Sequence, residues 1–381
     1  MFDKNNLTFF LSILGIGVSL FIILGVYAYS AGNNDHAFSV SAKAATLYEP
    51  ETGSFLYEKN ADERLPMAST TKIMTALVAL KNCMLDEPVE IDGRAVGIEG
   101  SSAYLKAGEL LTVEQLLYAL LLQSANDAAT ALAIHISGGT EDFALLMNQY
   151  AKEIGALNTS FSNPHGLDDE EHYTTARDLA VIAAEAMKDE RFVRIASTRQ
   201  KTFRTEYSTR TYVNHNKLLK LYDGCVGVKT GFTKKSGRCL VGAAQREGLT
   251  FISVTLDAPN DWNDHEKLLD YGYSSLQKIR FATSGDHIYK IPILDGVSNS
   301  IIASNTDEAS IILPKGDYEI AEHVKLMKFA IAPIKEGEIV GEIIYTLNGK
   351  EAARVKIVAT EDVPKQKEST IFDKILSLFN R

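Results

Sequence analysis

Two textures along one chain predict an α+β fold, helices packed around an antiparallel sheet, followed by a small all-β domain. Up to about Arg280, long helical patterns are interrupted by a few strands that include a hairpin. From about Phe281, strand-like runs succeed one another between turn residues. A chain of 381 residues is long enough for two such cores. The expected divisions are 1–44, a signal peptide or N-terminal membrane segment with a spacer; 45–280, helices and sheet; 281–362, the β-rich domain; and 363–381, a polar tether with an amphipathic helix.

The elements follow in order. From Leu7 to Ala28 the chain is almost wholly apolar, with one Lys and one Asp ahead of it, which suits a long secretory signal or a membrane anchor. Both readings export the rest. Small residues at Ala28 and Ser30, or at Ala42 and Ala44, offer cleavage sites, and cleavage is favoured. Pro66-Met67-Ala68 then leads into Ser69 and the apolar run Ile73, Met74, Ala76, Leu77, Val78, Ala79, Leu80, which predicts a buried helix with Ser69 in its first turn. Thr112-Val113-Glu114-Gln115 is a capping-box pattern ahead of a second helix that ends at Ser124, and Asn126 or Asp127 can cap a third. Gly224 to Gly231 and Arg238 to Ala244 flank a polar turn and read as a hairpin, with a further strand from Leu249 to Leu256. Beyond 281, strands are expected at His287 to Leu294, Ser310 to Leu313, Glu319 to Ile331, Ile339 to Leu347 and Ala352 to Ala359, with turns at Pro314 to Asp317 and at Asn348-Gly349. Ile371, Phe372, Ile375, Leu376, Leu378 and Phe379 gather on one face of a terminal helix too short to span a bilayer but suited to lie in its interface.

Composition narrows the partners. A net charge of −10 argues against nucleic acid. Three cysteines are too few for a disulfide scaffold and read as buried thiols; a bridge between Cys225 and Cys239 would have to skip across the hairpin register.

The chemistry rests on three strings in order: Ser69-Thr70-Thr71-Lys72, Ser124-Ala125-Asn126 and Lys229-Thr230-Gly231. Ser-x-x-Lys alone is weak, since about one is expected by chance in such a chain and Ser275-Leu276-Gln277-Lys278 is a decoy. Order and context carry the signal. Three residues of helical spacing place Lys72 on the same face as Ser69, so amine and hydroxyl can touch. An amine in an apolar helix, with Lys229 as a second cation nearby, loses affinity for its proton and can act as a base. The bland alternatives are a capping Ser with a snorkelling Lys, a capping Asn126, and an ordinary hairpin bounded by Lys229 and Gly231. An ideal pleat would send Lys229 and Thr230 to opposite faces, so both serve one site only where the strand rims a cleft and twists. Together the strings define a serine acyl-transfer site that needs no histidine, cofactor or metal.

With Phe161-Ser162-Asn163-Pro164-His165-Gly166-Leu167, these strings closely resemble the low-molecular-mass penicillin-binding proteins, the serine-type D-Ala-D-Ala carboxypeptidases, from about Ala44 to the C-terminus. The resemblance implies the penicillin-binding protein/β-lactamase-like fold, with 45–280 as the catalytic domain and the β-domain as a stalk or platform. It implies acylation of Ser69 by the penultimate D-alanine of a peptidoglycan stem peptide, release of terminal D-alanine, and covalent inhibition by β-lactams. Lys72 would be the base, Ser124 and Asn126 the relay and positioning pair, and Lys229, Thr230 and Gly231 the dock for the terminal carboxylate. The backbone N–H groups of Ser69 and Phe232 would form the oxyanion hole. The resemblance also implies a membrane-associated enzyme outside the cytoplasm, anchored through the C-terminal helix. One departure stands out: where some relatives carry an Arg downstream, this chain reads Leu256-Asp257-Ala258-Pro259-Asn260, leaving Lys229 and Thr230, or a residue not placed, to bind the carboxylate. Asn163 to Leu167 is expected to be structural, and His165 not catalytic.

Rival chemistries fare worse. Class A β-lactamases need Glu-x-x-Leu-Asn, and Glu153 to Asn158 has one residue too many. His265-Glu266-Lys267-Leu268-Leu269 lacks the second His of a zinc helix, and Asp168 to Glu171 before His172 reads as a solvated loop. A surface or turn role is expected for each of the eight histidines. An endopeptidase or transpeptidase on the same acyl-enzyme is the runner-up; a penicillin-sensing module without turnover should have lost a catalytic side chain, and none is missing.

Overall fold

The computed structural model describes residues 38–204 and 209–366. The apolar segment 7–28 and the amphipathic stretch 371–381 lie outside the described residues. Among the described residues, no helix is long and apolar enough to cross a membrane. The chain divides between Ser275 and Leu276 into two compact units.

In the first unit, β1 (Ala44–Glu49) and β2 (Ser54–Lys59) form a hairpin. A 3-10 turn, Ala68–Thr71, leads directly into α1 (Lys72–Asn82), nine of whose residues are buried. The serine thus stands in the tighter turn before the α-helix rather than in its first α turn. After the short pair β3 (Pro88–Glu90) and β4 (Leu110–Thr112) comes α2 (Val113–Leu122), opened by the expected capping box between Thr112 and Gln115. α3 (Asn126–Ser137) ends where Gly138 takes a left-handed conformation, the usual helix stop. Then come α4 (Thr140–Glu153), α5 (Ala176–Met187) and α6 (Glu190–Ala196), the last two N-capped by the side chains of Thr175 and Asp189. The hairpin β5 (Gln200–Arg204) and β6 (Thr209–Val213) precedes α7 (Leu218–Leu221), and β7 (Cys225–Thr233), β8 (Gly237–Arg246), β9 (Leu249–Leu256) and α8 (Asp261–Ser275) complete the unit.

The main sheet is antiparallel, in the order β2-β1-β9-β8-β7. Early and late strands therefore pair, and β7, which carries Lys229-Thr230-Gly231, lies at the sheet edge. Ile73, Met74, Leu77, Leu116, Leu120, Leu132, Leu179 and Ile182 pack with Val228, Val241, Ile252 and Val254 in one apolar core, so α1 is an interior helix whose sequence is apolar nearly all round.

The second unit is all β. Leu276–Ala282 (β10) pairs with Ala309–Pro314 (β13). β11 (Ile288–Leu294), β12 (Ser300–Asn305), β14 (Ile320–Leu326), β15 (Ala330–Ile331), β16 (Ile339–Leu347) and β17 (Lys350–Ala359) form a sheet in the order β14-β16-β17-β12-β11-β15. Its core is Ile291, Ile293, Ile301, Val340, Ile343, Val355 and Ile357. Asn348 and Gly349 both take positive φ at the β16–β17 hairpin, as that dipeptide predicts. Two strands escaped the sequence reading, β10 and β12, and the single run expected from Glu319 to Ile331 is broken into β14 and β15.

Candidate active site

The interior of α1 forces the chemistry of its first residue. Lys72 has no exposed surface, yet its Nζ meets three oxygens: Ser69 Oγ at 2.9 Å, Asn126 Oδ1 at 2.7 Å and the His165 carbonyl. Burial holds the amine well below the usual lysine range, the nearby Lys229 cation lowers it further, and Asp127 opposes both. Lys229 is 1 % exposed, donates from Nζ to the Thr230 carbonyl at 2.8 Å, and is lowered by burial to about 7. Both amines hold a proton less tightly than a free lysine, and Lys72 feels the added push of Lys229.

Asn126 does not cap α3. It is the helix's first residue, and the N-cap position, Ala125, makes no side-chain bond. Instead Asn126 Nδ2 donates to the Glu99 carbonyl while Oδ1 faces Lys72. Asp127 works beside it: its carboxylate accepts from the backbone N–H of Ala103, Leu105 and Ala128 and from the Ser102 hydroxyl, which fixes the loop in front of α3. Ser124, buried between α2 and α3, sits at φ +62°, a conformation that costs a non-glycine residue free energy and is kept by its surroundings.

A cleft of about 350 Å³ opens over this cluster, walled by Ser69, Ser124, Thr230, Gly231, Phe232 and Arg238, among others. Lys72, Asn126 and Lys229 stand behind that wall. Strand β7 passes so close to the serine turn that a Cβ at Gly231 would lie 3.0 Å from the Ser69 backbone nitrogen. The Phe232 side chain is exposed, so only its backbone is fixed by the strand. All eight residues singled out from the sequence are therefore brought together: Ser69, Lys72, Ser124, Asn126, Lys229, Thr230, Gly231 and Phe232.

Four features escaped sequence reasoning. His172, expected on a solvated loop, is 3 % exposed. Its Nδ1 accepts from the Ser162 N–H at 3.0 Å, so Nε2 carries the proton and donates to Thr71 Oγ1 at 2.7 Å, and that hydroxyl donates to the Ala68 carbonyl. This chain ties the 162–172 segment to the serine turn, and burial keeps His172 neutral by lowering it to about 4. His265, expected in a surface or turn role, is fully buried between Ser253 and Thr255. The expected turn at Asn163 to Leu167 has a further use, since its His165 carbonyl accepts from Lys72. Arg238, opposite Phe232 in the β7–β8 register, brings to the cleft a cation held by Asp261 at 2.9 Å. The cysteines are free: Cys239 is buried, while Cys83 and Cys225 are half-buried rather than fully so.

The profile of the D-alanyl-D-alanine carboxypeptidase family, peptidase S11, matches residues 31–260, and that of the penicillin-binding protein 5 C-terminal domain matches 277–365. The chain belongs to the S11 D-alanyl-D-alanine carboxypeptidase family. It is 33 % identical to the D-alanyl-D-alanine carboxypeptidase DacF of Bacillus subtilis over 93 % of this chain and 94 % of that one. It is also 33 % identical to DacC of Escherichia coli over 92 % and 91 %. Among solved structures it is similar to penicillin-binding protein 5 from Haemophilus influenzae, with a TM-score of 0.63 and 30 % identity over 87 % of this chain and 99 % of that one. It is likewise similar to the Streptomyces K15 DD-transpeptidase, with a TM-score of 0.59 and 37 % identity over 62 % and 99 %. The S11 fold and the β-domain expected from the sequence are both present.

Proposed function

We propose that this S11 enzyme removes the terminal D-alanine from peptidoglycan stem pentapeptides through an acyl-enzyme on Ser69. The observation that carries the reading is the buried Lys72 amine in contact with Ser69 Oγ, its proton affinity lowered by burial and by Lys229. The neutral amine takes the Ser69 hydroxyl proton as Oγ attacks the penultimate D-alanine carbonyl. The Ser69 and Phe232 N–H groups receive the oxyanion. As the tetrahedral adduct collapses, the C–N bond breaks, and the proton passes by way of Ser124 to the departing amine of D-alanine. Asn126 holds Lys72 in line throughout. Water, deprotonated by Lys72, then cleaves the ester and frees the tetrapeptide and Ser69.

Binding follows from the sheet. The outer edge of β7 can accept an extended peptide as a further strand, with the terminal carboxylate against Thr230, the Lys229 cation behind it and Arg238 nearby. β-Lactams present a carboxylate and a strained amide to the same groups and acylate Ser69. Export to the outer face of the cytoplasmic membrane, through segment 7–28, and anchoring by the helix 371–381 complete the proposal, with 45–280 as the catalytic domain and 281–362 as its platform.

The test follows D-alanine release from a diacylated Lys-D-Ala-D-Ala tripeptide, with fluorescent penicillin labelling in parallel, for the full-length protein and Ser69→Ala. Release and a stable label, both lost in the variant, are expected; a label without release overturns the carboxypeptidase reading in favour of a sensor or a transpeptidase. The likeness to the K15 DD-transpeptidase supports a second reading, transfer of the acyl group to an amine. Adding an amine acceptor and measuring the ratio of aminolysis to hydrolysis distinguishes the two.

A further inference from the structure

The two helices that begin at the candidate site, α1 at Lys72 and α3 at Asn126, run to a common region at their other ends. There Cys83 closes α1, His135 stands in the last turn of α3, and Glu87 lies in the loop entering β3. One donor atom from each, the Cys83 sulfur, a Glu87 carboxylate oxygen and a His135 ring nitrogen, lie within 4.8 Å of one another. We propose that these three side chains form a binding site for a borderline-soft divalent cation of the zinc type.

The donor set decides the class. Thiolate, imidazole and carboxylate together suit zinc, and three protein ligands leave a fourth position for water. Calcium and magnesium require oxygen ligands and have no use for the sulfur. Ligand atoms around a tetrahedral zinc stand roughly 3.3 to 3.8 Å apart, so the cluster needs about 1 Å of side-chain adjustment to close on an ion. Glu87 and His135 already meet at 2.8 Å, Nε2–H donating to the carboxylate. Binding exchanges that hydrogen bond for a coordinate bond from each partner: the Nε2 proton leaves to solvent while Nδ1 takes one up, so the ring stays a neutral imidazole of the other tautomer, and the Cys83 thiol also gives its proton to solvent. The backbone favours the same sign of charge, because α1 and α3 both direct their carboxyl ends, the negative poles of their dipoles, toward the cluster.

Such an ion takes no part in acyl transfer. The rise along helices of 11 and 12 residues places it roughly 16 Å from Lys72 and roughly 14 Å from Asn126. It would staple the ends of the two helices that hold those residues in register.

The experiment strips the full-length protein with a chelator and titrates it with Co2+, then with Zn2+. One equivalent of Co2+ should raise a near-ultraviolet thiolate-to-cobalt band that Zn2+ abolishes. Cys83→Ser should lack the band, and Glu87→Gln and His135→Asn should each weaken binding by more than about tenfold. Each variant should still label with fluorescent penicillin, which verifies its fold. In the unmodified protein, Zn2+ should raise the thermal midpoint by several degrees and shield Cys83, but not Cys225, from alkylation mapped by peptide mass. Failure to bind one equivalent at tens of micromolar metal, a band that persists in Cys83→Ser, or alkylation of Cys83 indifferent to zinc would each overturn the proposal.

Discussion

Between residues 38 and 275 the interior holds Lys72, Lys229, Asp127, Asp178, Asp264 and His265 among its apolar side chains. From 276 to 366 the buried side chains among the described residues are apolar or aromatic apart from Asn305. The first unit has taken ionisable groups out of water, which is costly unless each finds partners. The second relies mainly on apolar packing, with Asn305 bonded to the backbone of Thr283, His287 and Asp307. Even its exposed face is apolar in places, as at Ile288, Leu294, Ile320 and Ile331. Chemistry is thus concentrated where burial is electrostatically expensive, and the contrast makes the two units sensitive to different perturbations.

The largest effect is expected from Lys72→Ala. Removing the base should lower the rate of penicillin acylation by about 10^4-fold or more, measured by stopped-flow or gel labelling, while unfolding of the β unit is unchanged. Asp127→Ala should come next. It strips the acceptor from three backbone N–H groups and the Ser102 hydroxyl, and a loss of about 3–5 kcal/mol is expected in the denaturant transition that abolishes labelling. In the other unit, Ile343→Ala should cost about 2–4 kcal/mol by leaving a cavity, yet leave the acylation rate untouched. Equal damage to both transitions would show that the two units do not melt separately and would break the comparison.

The most gradual effect is a pH slope. His265 is lowered by burial to about 3 in the folded protein, against about 6.5 unfolded. Above pH 6.5 neither state is protonated and nothing changes. As pH falls below 6.5 the unfolded chain takes up a proton that the folded one refuses, so stability is lost at about 1.4 kcal/mol per pH unit until about pH 3. Thermal midpoints of the wild type and His265→Gln across that range measure the difference. A parallel pair of curves would remove His265 from the account.

Sequence legibility follows the same division. The three strings were readable because serine, lysine and asparagine are functional at fixed spacings, and α1 was readable because its apolar run is nearly unbroken. The 3-10 geometry at Ser69 was not, since no local signal distinguishes that turn from the first turn of an α-helix. For Asn126 local sequence offered only a cap as the bland alternative, and its contact with Lys72 was legible only through the company of the other two strings, because Lys72 and the Glu99 carbonyl are distant in sequence. His172 and His265 were expected in surface or turn roles because histidine is polar. Their burial depends on hydroxyl partners at Thr71, Ser253 and Thr255 that only the tertiary fold supplies. β12 and β10 were missed because short strands without strict alternation, such as Ser300–Asn305, carry little periodic signal.

The serine turn is clasped from two sides by glycines. A Cβ at Gly166 would lie 2.0 Å from the Ala68 carbonyl oxygen, and one at Gly231 would press on the Ser69 nitrogen and Ala68. In a library of all single substitutions selected for penicillin binding, Gly166 should stay blank even for alanine, and Gly231 should admit nothing larger than alanine. Escape from a β-lactam by filling the space beside Ser69 is closed to this enzyme, and drift toward resistance would have to begin farther out along the cleft, at residues such as Phe232 whose side chains already face solvent.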